Sequence, residues 1–299
     1  PALILTLGIL FLPESPRWLF SVGRREDAAK SLRKLRKDKP IEHELLDIEH
    51  TLSKEPQKGS WLLLFKKPLL PVVMLGTMLF CLQQLSGINV VIYFAPEIFK
   101  NLGFDSAVGQ ILATMGIGLV NLLVTILAIM WMDKVGRRKL LLLGFIGTSL
   151  SLGVLSLISL NQITGLAYYS VICLIVYIFS FAISVGPVPH ISMAEIFPLH
   201  VRGAGMGLAA MSNWSFNTLV IFSFPLLQHA LGIEYVFALY AFICVLGLFY
   251  TYFYMPETKN ISLEQIENYV MSGKPLRYLG REEERLQAIE AEFGARSSV

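Results

Sequence analysis

Seven side chains in three hydrophobic stretches carry most of the chemistry this chain offers: Gln83, Gln84 and Asn89, then Asn121, then Asn213, Trp214 and Asn217. Six of them are amides, which donate and accept hydrogen bonds and carry no charge. That combination suits a ligand whose hydroxyls also do both, such as a sugar or polyol. An ion or carboxylate would call for fixed charge. A second reading stays open, because amides inside a helical bundle also bond to neighbouring helices. Covalent chemistry has little to stand on: there is no HExxH or GxSxG, and His190 is the only histidine deep in an apolar stretch. No catalytic residue, metal site or cofactor is expected. Cys81, Cys173 and Cys244 form no CxxC, and their odd number fits buried thiols rather than a disulfide framework.

The amides need an element to aim them. On an unbroken helix Gln84 and Asn89 point about 140° apart, but the run Gln83-Gln84-Leu85-Ser86-Gly87-Ile88-Asn89 carries a Ser-Gly step where the backbone can bend. Interrupted membrane helices are a recurring way to build a transport site. A second interruption is written into Gly186-Pro187-Val188-Pro189-His190, whose prolines lack the backbone donor a helix needs. Ser86, Gly87, Tyr93, Gly186, Pro187 and Pro189 are therefore the candidate hinge and gate residues. Charge gathers at helix ends: Asp133, Arg137 and Arg138, then Glu195 and Arg202, then Glu257. Arginine–carboxylate pairs among them would hold helix ends together in one state and release them in another.

The composition says what surrounds these elements. Of 299 residues, 54% are hydrophobic and 16% charged, with mean hydropathy +0.59; a soluble domain has about 25% charged residues. The chain belongs in a bilayer, and a formal charge of +3 gives no reason to expect nucleic acid. Six stretches reach transmembrane length: 69–96, 107–132, 140–160, 166–192, 204–228 and 235–255. Assigning alternate connections to one side puts 24 of the 25 Lys and Arg residues there and leaves Lys100 opposite. The positive-inside bias makes that side cytoplasmic. The expected layout is the end of a preceding transmembrane helix at 1–12, a cytoplasmic linker at 13–68, a six-helix bundle at 69–255 and a cytoplasmic tail at 256–299. The start at Pro1, within an apolar run too short to span, suggests the C-terminal part of a longer protein. Helical spacing in the linker predicts two short amphipathic helices, one with Ala28, Leu32 and Leu35, the other with Leu45, Ile48 and Leu52. In the tail, Ser262 ahead of Glu264 and Gln265 predicts a capped helix with Leu263, Ile266 and Val270; beyond Arg281 the charged run should fray.

In order along the chain, these pieces resemble the sugar porter branch of the major facilitator superfamily. The resemblance rests on Pro13-Glu14-Ser15-Pro16-Arg17-Trp18-Leu19, the Gln-Gln-Leu-Ser-Gly-Ile-Asn run at 83–89, Gly136-Arg137-Arg138 and Gly186-Pro187. It continues through Glu195-Ile196-Phe197-Pro198 with Arg202-Gly203, Asn213-Trp214 and Pro256-Glu257-Thr258-Lys259. The tail is most similar to bacterial galactose, arabinose and xylose proton symporters. The resemblance implies an all-α membrane protein: the C-terminal six-helix bundle, with cytoplasmic linker helices, of a twelve-helix transporter in the cell membrane. It would work by alternating access with an N-terminal six-helix half as partner. By position, Gln83, Gln84, Asn89, Asn121 and Trp214 would contact a monosaccharide, with Asn217 a weaker candidate. Arg137, Arg138, Glu195 and Glu257 would match the family's cytoplasmic charge network. Proton symport is implied, although the family's proton-accepting acid lies in a first helix outside this chain; a uniporter and a non-transporting sensor are the alternatives. One position departs: His190 stands where the family usually has tryptophan. It either tunes which sugar fits or, since histidine titrates near neutrality, makes transport pH-sensitive.

Overall fold

The computed structural model describes residues 23–36, 61–104, 106–163 and 165–280, together with Gly8, Glu14, Pro16 and Leu19. The chain divides into two compact units, Pro1–Gly59 and Ser60–Val299. The expected helix over 41–52, the run beyond Arg281, most of 1–22 and the Leu35 side chain lie outside the described residues.

In the first unit, helix α1 spans Arg25–Arg36. Ala28 and Leu32, one turn apart, are buried, as is Leu19. Glu26 and Asp27 put negative charge in the first turn, where the helix dipole favours it. Arg24 pairs with Asp27 at 2.9 Å and holds its carboxyl below the usual carboxylate range. Ser31 donates from its hydroxyl to the carbonyl of Glu14, tying the helix back to the segment before it.

The second unit is helical, with no strand among the described residues. Its helices are α2 (Leu70–Leu85), α3 (Ile88–Tyr93), α4 (Ala95–Asn101), α5 (Ala107–Val135), α6 (Arg137–Leu160), α7 (Leu166–Ser180), α8 (Pro187–Ile196), α9 (Leu199–Leu231), α10 (Ile233–Tyr254) and α11 (Leu263–Met271). Taking α2 with α3, and α7 with α8, as continuous spans, five helices are long and apolar enough to cross a membrane. The sixth expected span forms the longest helix, α9. Ser212, Asn213, Ser215 and Asn217 lower its apolarity below that of the other five.

Because these helices are apolar all round, propensity does little to orient them and close packing does most. Helix α6 packs chiefly on α10 and α7, and α2 on α9. Gly144 and Gly147 of α6 lie so close to Ser184 and Ser180 that a Cβ on either would come within 2.2 Å of a hydroxyl oxygen. Phe145, Tyr177, Phe224 and Phe237 fill the core. Helix α5 lies at the margin, with only 17% of its most apolar window buried; Ile111, Met115 and Leu122 face outward. The tail helix α11 carries the predicted capping box: Gln265 N donates to Ser262 Oγ at 3.2 Å, and Ser262 N donates to Gln265 Oε1 at 2.9 Å. Ile266 and Val270 are buried as the spacing predicts, whereas Leu263 is exposed.

Candidate functional site

Both interruptions written in the sequence are present. Helix α2 ends at Leu85, Gly87 takes a left-handed φ of 85°, and α3 starts at Ile88. Only glycine suits that position, since a Cβ there would also lie 2.4 Å from the Tyr240 ring. Ser86 donates to Gln83 O at 2.6 Å, and the fully buried Tyr177 donates from its hydroxyl to Ser86 O at 2.9 Å. The buried backbone of the break is thus tied to α7.

The second interruption begins with a π-helical stretch, Phe181–Val185, closed by Gly186 N donating to Phe181 O at 2.8 Å. A wider turn of this kind inside an α-helix commonly marks a functional position. Pro189 offers no N–H to the carbonyl four residues earlier, that of Val185, and a buried orphan carbonyl must find another donor. Gln83 supplies it: its Nε2 donates to Val185 O at 2.8 Å and to Gly186 O at 2.7 Å.

From Gln83 a chain of amides runs across α2, α9 and α3. Asn213 Nδ2 donates to Gln83 Oε1 at 2.7 Å, and Gln84 Nε2 to Asn213 Oδ1 at 3.1 Å. Asn89 Nδ2 donates to Gln84 Oε1 and to Asn217 Oδ1, both at 2.8 Å. The break closes the 140° gap between Gln84 and Asn89 into a direct hydrogen bond. Gln83, Gln84, Asn213 and Asn217 are buried, and Asn89 is half-buried. The far end of the chain keeps Asn89 Oδ1 as an acceptor and Asn217 Nδ2 as a donor with no partner among the described residues. That is a matched pair for one hydroxyl group.

The other candidates stand apart. Asn121 on α5 is half-buried, and its side chain bonds to no described residue. Trp214 is 66% exposed and Tyr93 58% exposed, neither within the amide chain. His190 is exposed; its Nδ1 lies 3.2 Å from Gly186 O, and its ring meets the edge of Phe80 at 4.7 Å. It therefore shares with Gln83 the Gly186 carbonyl, one bond from the chain. Pro189 is buried at the start of α8, with Gly186 and Pro187 half-buried beside it. Asn213, one of the six amides of the spans, is the member that the resemblance did not place at the sugar. Its i, i+4 spacing to Asn217, which puts both on one helix face, was the signal for it.

At one end of the bundle the chemistry is ionic. Arg137 Nη2 meets Glu195 Oε1 at 2.8 Å and Asp133 Oδ1 at 2.9 Å, and Thr258 donates to Glu195 Oε2 at 2.6 Å. Glu257 pairs with no described arginine side chain. Its carboxylate accepts the backbone N–H groups of Arg137 at 2.9 Å, Arg138 at 3.2 Å and Lys259 at 3.2 Å. It therefore caps the start of α6, where unpaired N–H groups and the helix dipole favour an anion. Gly136, with φ 97°, has no side chain to obstruct it; a Cβ would lie 2.6 Å from Glu257 Oε2. Arg138 reaches the carbonyl of Tyr252 at 2.7 Å. Arg202 is not drawn into this cluster: its Nε bonds Phe197 O at 3.0 Å, within its own loop. Among the described residues, the arginine–carboxylate pairs at this end are those of Arg137 with Glu195 and Asp133.

A broken-helix membrane bundle with a neutral polar centre and an ionic end is the architecture of a transporter half. Residues 1–269 match the family model described as "Sugar (and other) transporter". The chain belongs to that family, whose members in the major facilitator superfamily are transporters rather than enzymes. The Bacillus subtilis protein YwtG is 43% identical over 269 residues, 89% of this chain and 58% of that protein. The Escherichia coli K12 galactose-proton symporter is 35% identical over 285 residues, 94% of this chain and 61% of that protein. A solved structure of the proton:xylose symporter XylE, bound to 6-bromo-6-deoxy-D-glucose, superposes with TM-score 0.74 at 34% identity, covering 90% of this chain and 56% of that one. The chain thus spans about three fifths of these relatives' length.

Proposed function

We propose that this chain is the C-terminal half of a secondary active transporter that carries a monosaccharide, a hexose or pentose, across the cell membrane by alternating access with proton symport. The carrying observation is the amide chain from Gln83 to Asn217. Its inner members satisfy one another, while a sugar hydroxyl entering at Asn89 and Asn217 meets a free acceptor and a free donor and exchanges its hydrogen bonds to water for bonds to them. Each exchange is worth only about 0.5–1.5 kcal/mol, which suits a site that must release what it binds. Because the chain's other end holds Val185 O, the orphan carbonyl of the proline break, rearranging the amides for a ligand also loosens α8 from α2. Asn121, Trp214 and His190 would reach the sugar from their own helices.

In this reading the Arg137–Glu195 end faces the cytoplasm, with the linker at 13–68 and the tail at 256–299, as the distribution of basic residues favours. Residues 1–12 end the helix before the linker, and 69–255 form the bundle. An N-terminal six-helix half completes the pathway and supplies the proton-accepting acid. Proton coupling is drawn from the symporters named above.

The test is uptake of labelled sugar by the full-length protein in proteoliposomes. Accumulation that collapses with the proton gradient is expected. Equilibration independent of the gradient would make it a uniporter, and binding without flux a sensor. Gln84→Ala that binds and moves sugar like the parent would show the assigned site to be wrong.

A further inference from the structure

Away from the amide chain, an apolar groove of about 1110 Å³ opens where the start of α2, the end of α10, the middle of α9 and the turn after α11 meet. Its walls include Met74 and Met78, 62% and 41% exposed, with Phe216, Phe253 and Tyr254. Methionine-rich aromatic walls adapt to flexible apolar ligands. At the mouth stands Arg277, whose guanidinium lies 5.7 Å from the centre of the Phe253 ring and 5.9 Å from that of Tyr252. Its Nε is buried with no hydrogen-bond partner, and no described carboxylate pairs with it. A half-buried arginine whose Nε lacks an acceptor calls for an anion.

The neighbourhood reinforces that sign. Lys66 and Lys67 stand between the lining residues Phe65 and Leu70, and Lys274 precedes the lining residues Pro275, Leu276 and Arg277, so basic residues flank both stretches of the groove's wall. Two described acids of the tail are engaged elsewhere: Glu257 caps α6, and Glu267 faces His200 at 3.5 Å. We propose that this groove is a binding site for an anionic phospholipid of the surrounding bilayer, its acyl chain along Met74, Met78 and Phe216 and its phosphate on Arg277. Basic pockets between membrane helices bind such headgroups. The proposal rests on the membrane setting of the reading above and not on its substrate.

Native mass spectrometry of the full-length protein in detergent tests it, with dioleoylphosphatidylglycerol, dioleoylphosphatidylcholine and inorganic phosphate as probes. Phosphatidylglycerol is expected to bind at least tenfold more tightly than phosphatidylcholine. R277Q should remove that preference, and M78W, which fills the groove, should weaken both lipids. Equal binding of the two lipids, an unchanged preference in R277Q, or displacement of the lipid by phosphate at equal concentration would overturn the proposal. If R277Q fails to fold, M74W and M78W decide it. Labelled-sugar binding by the parent protein separates the two readings: sugar binding without lipid selectivity sinks only this one, and lipid selectivity without sugar binding sinks only the transport assignment.

Discussion

The amide chain and the ionic end perform the same mechanical task with opposite chemistry. Each ties together segments more than 50 residues apart: Gln83 to Asn213 and Gly186 in one, Arg137 to Glu195 and Glu257 in the other. The amide links are neutral dipole to neutral dipole, so a hydroxyl ligand or another amide can replace any of them at little cost. The ionic links are charge-assisted and anchored on a helix N-terminus, so nothing in a sugar can substitute for them. A ligand can rearrange the first region directly but can reach the second only by moving helices. The first is therefore suited to sensing occupancy and the second to holding whichever state the helices adopt.

The largest effect should come from removing the break that gathers the amides. Gly87→Val places a β-branched residue at φ 85° and drives it into the Tyr240 ring. Backbone strain of about 1–3 kcal/mol adds to overpacking of similar size, about 1–3 kcal/mol. A thermal melt of the purified protein should fall by many degrees, and sugar binding should be lost with it. A melt within a degree or two of the parent would mean that the break is not the organising feature of the amide region.

Next in size is Glu195→Gln, which keeps the shape of the ionic end and removes its charge. Loss of a hydrogen bond to a charged group costs about 1.5–3 kcal/mol. The two side chains are 12% and 20% exposed, so part of that is screened by salt. The gap in melting temperature between parent and variant should narrow as salt rises. Gln83→Leu makes the matching test of the neutral region: it orphans Val185 O at a cost of about 1–3 kcal/mol, and that cost should not depend on salt. Equal salt sensitivity in the two variants would erase the distinction between the regions.

How much of this was legible in the residues follows the range of the interactions. The breaks were local events, written as Ser-Gly and Gly-Pro-Val-Pro, and both lie where the sequence puts them. So does the capping box at Ser262, whose partners are three residues apart. What could not be read was which partner a polar group takes across the fold. Glu257 sits 120 residues from Arg137 and chooses the backbone N–H groups at the start of α6 over a guanidinium, because α6 has no acid in its own first turn. Thr258, which steadies Glu195, has nothing in its surroundings along the chain to announce it. On helices apolar all round, no hydrophobic stripe marks the inner face, so Trp214 and Asn213 could not be told apart by pattern. Pairing by i, i+4 would have favoured Asn213 and Asn217.

The smallest predicted effect concerns His190, where the neutral region meets a titratable group. Its Nδ1 shares the Gly186 carbonyl with Gln83, and its ring rests edge-on against Phe80. A tryptophan here would keep the aromatic contact and widen the apolar surface beside the amides, but it has no ring nitrogen in the place of Nδ1. That exchange alters one neutral hydrogen bond, about 0.5–1.5 kcal/mol, and so His190→Trp should change the ratio of affinities between two sugars by roughly tenfold at most. The pH profile of uptake should keep its shape, because the ring's contacts are to a carbonyl and a phenyl group, and neither carries a charge for an imidazolium to answer. A pH step near neutrality that disappears in the variant, with the sugar ratio unmoved, would instead make His190 a proton sensor and give the neutral region an ionic function after all.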